Sequence, residues 1–314
     1  MIREINYDAS TVMKKGFPRI RKLGAVSPCG ETTPFVHEGR LYRMELCDPS
    51  HGTDSAAPAA ALIRDRETGK VLSRFGEGCY YHALYYEDGV ARVTAARSVR
   101  PGLSGDTIVL FESRDLIRWT ARDLFARPGW RLFNTSLTKG PEGYVLCMEA
   151  GEPREAVGVP FTAFFAASPD LMSWTMMDSG RGFPTHRYLG GPFLRYSRGW
   201  YYLIAVTALP AERYTNYVYR TKDFDSWEVG YYNPMLMPDE DDRTISPYAF
   251  DLSPELIRDM RTGFISSNSD VDMCDWQGRT LIVYNVGNQL GFYYLAEAEY
   301  DGTVDDLLAA YFDE

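Results

Sequence analysis

The chain has 314 residues, of which 45% are hydrophobic and 24% are charged, and it carries 33 Lys and Arg against 43 Asp and Glu. This composition can bury a substantial core, and it excludes an intrinsically disordered chain. The net charge of −10 is spread along the chain without a basic run. Nucleic acid and anionic membrane surfaces are therefore not expected as partners, because both require concentrated positive charge.

The cysteines and the N-terminus bear on the compartment. Five scattered cysteines without a C-x-x-C pair predict reduced thiols rather than a disulfide framework. The opening MIREINYDAS lacks the apolar segment of a signal peptide, and no apolar run approaches the roughly 18 residues that a membrane span requires. We therefore expect a soluble, cytoplasmic protein whose single domain spans residues 1–314.

In chain order, the first repeated feature is a strand, a Gly turn and a second strand. Aromatic and β-branched residues flank each turn, which is the signature of a β-hairpin. The pattern occurs five times, at 32–45, 80–95, 134–149, 190–205 and 269–284.

A second repeat, Ser/Thr-x-Asp-Leu/Phe-x-x-Trp, follows three of the hairpins. Its aspartates, Asp115, Asp170 and Asp223, are 55 and 53 residues apart. A period of this length indicates a repeat architecture. We place the motif in the turn between the third and the outermost strand, where Ser and Asp bond backbone N–H groups.

These repeats predict an all-β fold, a five-bladed β-propeller of four-stranded blades. The segment 229–264 does not fit the strand pattern. We interpret it as an insertion before the last blade, a loop followed by a short helix that Ser253 caps. The last blade ends in 292–308, where YDGTVDDLL predicts a short C-terminal helix.

The motifs resemble those of the propeller glycoside hydrolases of families 43, 32, 62, 117 and 130 across essentially the whole chain. The resemblance implies catalytic carboxylates at the mouth of the central channel. The positions that family 43 would fill with carboxylates carry other residues, Thr33 before the Pro of blade 1, Gly191 before the Pro of blade 4 and the stretch from Asn134 to Ser136 in blade 3. The chain therefore resembles a divergent branch.

Replacement carboxylates are present near the inner strands. Asp270 and Asp272 lie two apart on a predicted strand and are expected on one face. We predict that one of them, with Glu31, supplies base or electrostatic stabilisation, and that Glu149 or Glu212 is the proton donor. For each of these residues a turn cap or a surface salt bridge is the structural alternative.

Polar residues near the same mouth are candidates for substrate binding. His82 could be a core histidine, a substrate contact, an acid or a metal ligand. No cofactor is expected to be required, although the resemblance allows a divalent cation in the channel. The predicted substrate-binding residues are His82, Asn134, Ser136, His186, Arg187, Asn268, Asn288 and Gln289.

The sequence thus predicts a glycosidase that cleaves a glycoside or short oligosaccharide by carboxylate acid/base catalysis, with a small carbohydrate as its partner. A non-catalytic propeller that binds a glycan or protein is the alternative. Two or more carboxylates that converge in a pocket would favour hydrolysis. Phosphorolysis would require a cluster of cationic side chains at the mouth, for which His186, Arg187 and Arg213 are the candidates.

Overall fold

The computed structural model describes residues 2–3, 17–48, 58–100, 103–158, 161–177, 183–184, 186–211, 213–288 and 291–312. Two strands precede the first hairpin, β1 (Ile2–Arg3) and β2 (Ile20–Ser27). The first unit comprises β3 (Gly30–His37), β4 (Arg40–Cys47), β5 (Ala60–Asp65) and β6 (Val71–Phe75). The second unit comprises β7 (Cys79–Glu87), β8 (Val90–Arg100), β9 (Leu103–Ser113) and β10 (Thr120–Ala126). Each unit is an antiparallel sheet in chain order.

The third unit comprises β11 (Arg131–Gly140), β12 (Gly143–Glu152), helix α1 (Arg154–Val157), β13 (Thr162–Ser168) and β14 (Thr175–Met176). The fourth comprises β15 (Gly190–Ser197), β16 (Trp200–Leu209), β17 (Arg213–Thr221) and β18 (Trp227–Val229). A 3₁₀ helix (Glu240–Arg243) and α2 (Pro254–Thr262) follow. The fifth unit comprises β19 (Ser267–Trp276), β20 (Arg279–Gly287) and β21 (Tyr293–Tyr300), before α3 (Val304–Ala310). The predicted all-β class and four-stranded sheets are confirmed.

The Asp-containing repeat lies where it was predicted, between the third and fourth strands of its unit. In the second copy, Asp170 Oδ1 accepts the backbone N–H groups of Met172 and Ser173, both at 2.8 Å. Asp115 and Asp223 accept two N–H groups each in the same way. The motif is therefore a turn that starts the outer strand.

The first strands of the five units contact one another in the order β3, β7, β11, β15, β19 and back to β3. Hydroxyl groups bond neighbouring units along this ring. Thr33 Oγ1 accepts the N–H of Leu84 at 3.1 Å and donates to Asp272 at 2.6 Å, which joins the first unit to the second and to the fifth. Ser136 Oγ accepts the N–H of Leu194 at 2.9 Å. The first strands thus surround a common centre.

Strand β2, near the start of the chain, is the fourth strand of the fifth unit. β2 pairs antiparallel with β21, from Ile20↔Tyr300 to Ser27↔Leu295. The sequence patterns did not predict this strand, because the pairing joins segments more than 260 residues apart. The last unit is therefore completed by the beginning of the chain.

The predicted insertion packs against β2 rather than standing apart from the sheets. Ala25 N–H donates to Thr244 O at 2.8 Å. Asp242 is fully buried and accepts from Lys22 Nζ at 2.8 Å and Tyr284 OH at 2.9 Å. Ser253 caps α2 by accepting the N–H of Leu256, as predicted. The 3₁₀ segment is therefore held by buried polar bonds to the fifth unit.

Apolar clusters lie between the first four pairs of neighbouring units. The junction of the fifth unit with the first instead holds buried charges. Glu297 accepts from Arg43 Nη1 at 2.8 Å and from Arg66 Nη2 at 2.7 Å, and Arg43 Nε also bonds Glu45 at 2.9 Å. Arg64 Nε bonds Glu45 at 3.1 Å. All five side chains are at least 93% buried.

Within the described ranges, no helix is long and apolar enough to cross a membrane.

Neutralising Glu297 tests how much the buried ion pairs stabilise the junction between the fifth and first units. Glu297→Gln leaves Arg43 and Arg66 buried against a neutral amide, and we expect it to lower the free energy of unfolding by about 3–5 kcal/mol. Urea unfolding measures the change. Glu299→Gln is the matched control, because Glu299 lies on the same strand and pairs with the half-exposed Arg21 and Arg279. We expect it to cost less than about 1 kcal/mol. Equal losses in both variants would contradict a special role for Glu297.

Candidate active site

A β-bulge interrupts the first strand of every unit near its start. Register shifts lie between Gly30 and Thr32, Tyr80 and Ala83, Leu132 and Thr135, Gly190 and Phe193, and Ser269 and Asp272. Bulges re-aim side chains and occur frequently next to active sites. We call this end of the first strands the bulge end.

Four of the five bulges contain a residue with left-handed backbone geometry. The φ angles are 40° at Glu31, 61° at Tyr81, 47° at Gly191 and 50° at Asp270. Positive φ is uncommon for residues other than glycine and is concentrated at functional sites. The bulges therefore hold two carboxyl side chains, Glu31 and Asp270, in backbone positions that a regular strand would not provide.

A small cavity of about 30 Å³ lies at the bulge end, and residues from all five first strands line it. Five polar side chains of this lining could take part in chemistry. They are Glu31 of the first unit, His82 of the second, Asn134 of the third, and Asp270 and Asp272 of the fifth. The structure therefore brings Glu31, Asp270 and Asp272 together at one cavity.

Glu149 lies beside this cavity and bonds two residues of its lining. Its Oε2 accepts from Asn134 Nδ2 at 2.9 Å and from the N–H of Gly191 at 3.3 Å. The pKa of Glu149 is raised to about 7, chiefly by burial and also by the charge of Asp270, while the hydrogen bonds from Asn134 and Gly191 act against the rise. Glu149 thus lies on the second strand of its unit and still reaches the ring of first strands.

Asp270 is held by two hydrogen bonds. Ser269 Oγ donates to its Oδ2 at 2.6 Å and Asn285 Nδ2 donates at 3.2 Å. Burial raises the pKa of Asp270, while both donors lower it. Its Oδ1 lies over Gly191, where an added Cβ would be 2.1 Å away. Asp270 therefore occupies space that a side chain at Gly191 would need.

Glu31 has the most strongly destabilised carboxylate of the group. Its Oε2 is buried and has no hydrogen-bond partner among the described residues. Burial raises its pKa well above the ordinary value, and the charges of Asp270 and Glu149 raise it further. Like charges that face each other in a buried site favour the protonated form of one member. Burial and the neighbouring charges therefore favour the protonated form of Glu31 over the ionised form.

Asp272 lies further than Asp270 from the bulge end of β19. It accepts from Thr33 Oγ1 at 2.6 Å and from the N–H of Met273 at 2.7 Å. Burial raises its pKa to about 7. Asp272 also lines a second cavity, of about 380 Å³, that extends towards the hairpin turns. The bulge thus gives Asp270 and Asp272 different neighbours, although both line the small cavity.

Aromatic rings form a continuous row at the bulge end. Centroid distances are 5.5 Å from Tyr81 to Phe133, 5.1 Å from Phe133 to Phe161, 6.1 Å from Phe161 to Tyr188 and 5.7 Å from Tyr188 to Tyr214. Burial raises the pKa of Tyr81, as do Glu31 and Glu149. Burial and the charges of Glu149 and Asp270 act likewise on Tyr188. Two members of this row, Tyr81 and Tyr188, thus lie close to the carboxyl groups.

Three predicted substrate contacts, His82, Asn268 and Ser136, contact other residues of the fold. His82 packs edge-on against Phe75, and burial lowers its pKa to about 4. Asn268 is fully buried, accepts from Lys22 and donates to Asp242. Ser136 lines the larger cavity and bonds the fourth unit. Asn134 remains at the site as the donor to Glu149.

The other predicted residues contribute less to this arrangement. His186 is exposed, and Arg187 hydrogen-bonds the buried Tyr219 of the fourth unit. Asn288 is partly buried and its N–H donates to Phe292 O. Glu212 and Gln289 lie outside the described residues.

Phe133 and Phe161 were not predicted near the site, and Asn285 was not predicted to bond a carboxylate. The row of rings could not be recognised locally, because aromatic residues are abundant throughout the chain. The polar residue Asn285 faces Asp270 only through the pairing of β20 with β19. The Ser269↔Asn285 register was therefore the missing information.

A divalent cation in the channel was allowed by the family resemblance. Within the described ranges, no group of three or more His, Cys, Asp or Glu side chains could hold a metal ion. The imidazole of His82 also packs between Phe75 and Phe111. The residues present do not fit such a site, and we derive no step through a metal.

Comparison with known proteins shows what this fold resembles. No family model matches the chain, and no curated protein matches it. Solved structures do. A thermostable family-43 glycoside hydrolase is 13% identical with a TM-score of 0.59, and the match covers 90% of this chain and 92% of that one. An α-L-arabinofuranosidase from Lactobacillus brevis is 11% identical with a TM-score of 0.60 over 88% and 93%.

A xylan β-1,4-xylosidase from Bacillus halodurans C-125 is 13% identical with a TM-score of 0.61, over 90% of this chain and 54% of that one. The resemblance to propeller glycoside hydrolases of the family-43 type, which the motifs indicated, is therefore confirmed at the level of the fold. Identities this low carry no catalytic residue from one chain to another. The chemistry must be argued from the site itself.

The raised pKa of Glu149 predicts a pH-dependent cost to stability. Its carboxyl group is neutral in the folded protein below about pH 7, whereas in the unfolded chain it ionises from about 4.5. Wild type therefore loses stability as pH rises from 4.5 through 7. Glu149→Gln removes this loss, so its stability relative to wild type should be about 1–3 kcal/mol greater at pH 8 than at pH 5. Urea unfolding at both pH values measures it.

Asp170→Asn is the control for this titration. Backbone N–H groups lower the pKa of Asp170, so the carboxylate is ionised in both states at pH 5 and pH 8. Its substitution should change stability equally at the two pH values. A Glu149→Gln effect that is also independent of pH would contradict the raised pKa.

Proposed function

We propose that the protein is a glycoside hydrolase whose five units are the blades of a five-bladed β-propeller and whose catalytic carboxyl groups lie at the bulge end. The cyclic contacts of the first strands support the blade arrangement. One observation carries the function, the convergence of Glu31, Glu149 and Asp270 into a buried, electrostatically coupled cluster. Glycoside hydrolysis requires a proton donor and a second carboxylate on opposite sides of the scissile bond.

Glu31 is the proposed general acid. It lines the cavity, has no bond to its Oε2 among the described residues, and carries the neutral form because burial and two like charges disfavour ionisation. A carboxylic acid that stays protonated near neutral pH can donate to the leaving oxygen. This assignment differs from the sequence-based expectation, which gave the proton to Glu149 or Glu212.

Asp270 is the proposed base or nucleophile. Ser269 and Asn285 donate to its carboxylate and so favour the charged form that either role requires. Glu149 is the proposed positioning residue. Its bonds to Asn134 and to Gly191 fix the wall of the cavity, and its charge raises the pKa of Glu31.

The proposed substrate is a small glycoside, held by the aromatic row from Tyr81 to Tyr214. Two of the structural neighbours are described as an arabinofuranosidase and a xylosidase. Aryl α-L-arabinofuranosides and aryl β-D-xylosides are accordingly the first substrates to test, within a broad panel of aryl glycosides and oligosaccharides.

Leaving-group dependence separates the two catalytic roles. Glu31→Gln should lower kcat/KM by about 10²–10⁴ for an oligosaccharide, because the departing oxygen then needs protonation that the amide cannot supply. The loss should be much smaller for a dinitrophenyl glycoside, whose leaving group departs without a proton. Asp270→Asn should lower kcat/KM strongly for both substrates. Steady-state kinetics with the two substrate types distinguish these patterns.

Asp223→Asn serves as the control, because this residue lies in a turn of the fourth unit away from the bulge end, and it should retain wild-type kinetics. Full activity in both Glu31→Gln and Asp270→Asn would refute the assignment.

A non-catalytic glycan-binding propeller is the competing function. The non-carboxylate residues Thr33 and Gly191, at positions where the family resemblance implies catalytic groups, favour it. Saturable binding of oligosaccharides with no turnover across the whole panel would establish this alternative in place of hydrolysis.

A further inference from the structure

Two thiols meet at the open end of the first hairpin. β3 and β4 pair from His37↔Arg40 to Gly30↔Leu46. Cys29, just before β3, and Cys47, the last residue of β4, are the next residues outward from the Gly30↔Leu46 pair. The two thiols are hydrogen-bonded to each other, and both residues are partly exposed. Directly opposed residues of antiparallel strands have Cα atoms about 4.5–5.5 Å apart, within the range of about 4.4–6.8 Å that disulfides span.

The surroundings of the pair distinguish its two members. Arg74 hydrogen-bonds Cys47, and its Nη2 also donates to Pro58 O at 3.1 Å, which fixes the guanidinium beside the thiol. The hydrogen bond from Cys29 and the charge of Arg74 lower the pKa of Cys47 to about 6. The same bond, burial and the charge of Glu45 raise the pKa of Cys29. The guanidinium of Arg74 beside Cys47 therefore favours the thiolate at Cys47, with Cys29 as its hydrogen-bond donor.

We propose that Cys29 and Cys47 form a redox-active dithiol that is oxidised by hydroperoxides to an intramolecular disulfide. The Cys47 thiolate attacks one peroxide oxygen, so an S–O bond forms, the O–O bond breaks and the departing hydroxide takes a proton to become water. The Cys29 sulfur then attacks the sulfenic acid at Cys47. The S–S bond forms, the S–O bond breaks, and the second oxygen leaves as water with the proton of Cys29. Two thiols and one hydrogen peroxide give one disulfide and two waters.

The remaining cysteines lack this arrangement. Cys79 and Cys147 are buried, and burial raises the pKa of both thiols. Cys274 is partly exposed, but burial and the charges of Asp272 and Asp275 raise its pKa. A thiolate, not a thiol, reacts with peroxide. Oxidation should therefore be selective for the pair.

The pair also lies next to the proposed acid. Cys29 precedes Glu31 by two residues, and the ring of Tyr293 covers the intervening Gly30, where an added Cβ would be 3.1 Å from Tyr293 Cε2. Burial, Cys29 and Glu31 all raise the pKa of Tyr293, so both groups lie near its hydroxyl. Because Glu31 follows Cys29 by only two residues, we expect the adjustment of Cys29 that closes the S–S bond to shift Glu31. Reversible loss of hydrolysis on oxidation follows from this step, which rests on the proposed function.

Chemical analysis of the intact protein tests the dithiol without any activity assay. After treatment with a small excess of hydrogen peroxide, two of the five thiols counted with Ellman's reagent in denaturant should be lost, and they should reappear after reduction with dithiothreitol and its removal. Peptide mapping should find Cys29 joined to Cys47. Random loss among all five thiols, or no loss under conditions that oxidise free glutathione, would overturn the proposal.

Single substitutions assign the two roles. In Cys29→Ser, dimedone should trap a sulfenic acid at Cys47, because the second thiol is missing. Cys47→Ser should react with peroxide at least about tenfold more slowly, since the thiolate is gone. Cys274→Ser is the matched control and should form the disulfide at the wild-type rate. A sulfenic acid on Cys274 instead of Cys47 would contradict the assignment.

Hydrolysis is measured in parallel on the same samples. A disulfide that forms while hydrolysis is unchanged refutes only the displacement of Glu31. A disulfide in a protein with no hydrolytic activity refutes the proposed function and leaves the dithiol established.

Discussion

The junction between the first and fifth units is the constraint on which the rest of the structure depends. It joins the beginning of the chain to its end, and buried ion pairs hold it where apolar side chains hold the other junctions. The hydrogen bonds within these pairs are directional, and breaking one of them leaves a charge buried without its partner. Glu31 lies on the first unit and Asp270 on the fifth, so the same junction sets the position of one carboxyl group against the other. The proposed chemistry therefore depends on how the ring closes.

The bulges explain how side chains of separate strands face one cavity. A regular strand alternates its side chains between two faces, and an extra residue breaks this alternation. Glu31 and Asp270 each occupy such a position with positive φ. Their conformations are unfavourable for residues with a Cβ and persist because the neighbouring strands fix the backbone on both sides.

Local patterns in the sequence predicted the hairpins, the Asp-containing turns, the cap of α2 and the C-terminal helix, because each depends on residues a few positions apart. They also placed Glu31, Asp270, Asp272 and Asn134 on the first strands. They could not predict β2 as a member of the last unit, since that pairing depends on contacts across almost the whole chain. Asn268 was expected to bind substrate, yet its buried partner Asp242 belongs to an insertion whose position no local pattern reveals.

The Asp270 carboxylate fills the space beside Gly191. Any side chain at position 191 would overlap the Asp270 carboxylate, and the left-handed backbone there favours glycine as well. A side chain at position 191 would therefore require the Asp270 carboxyl group to leave its present position. A carboxylate introduced at 191 would gain its place only by displacing the one at 270, so the two strands compete for a single charge at this end of the fold.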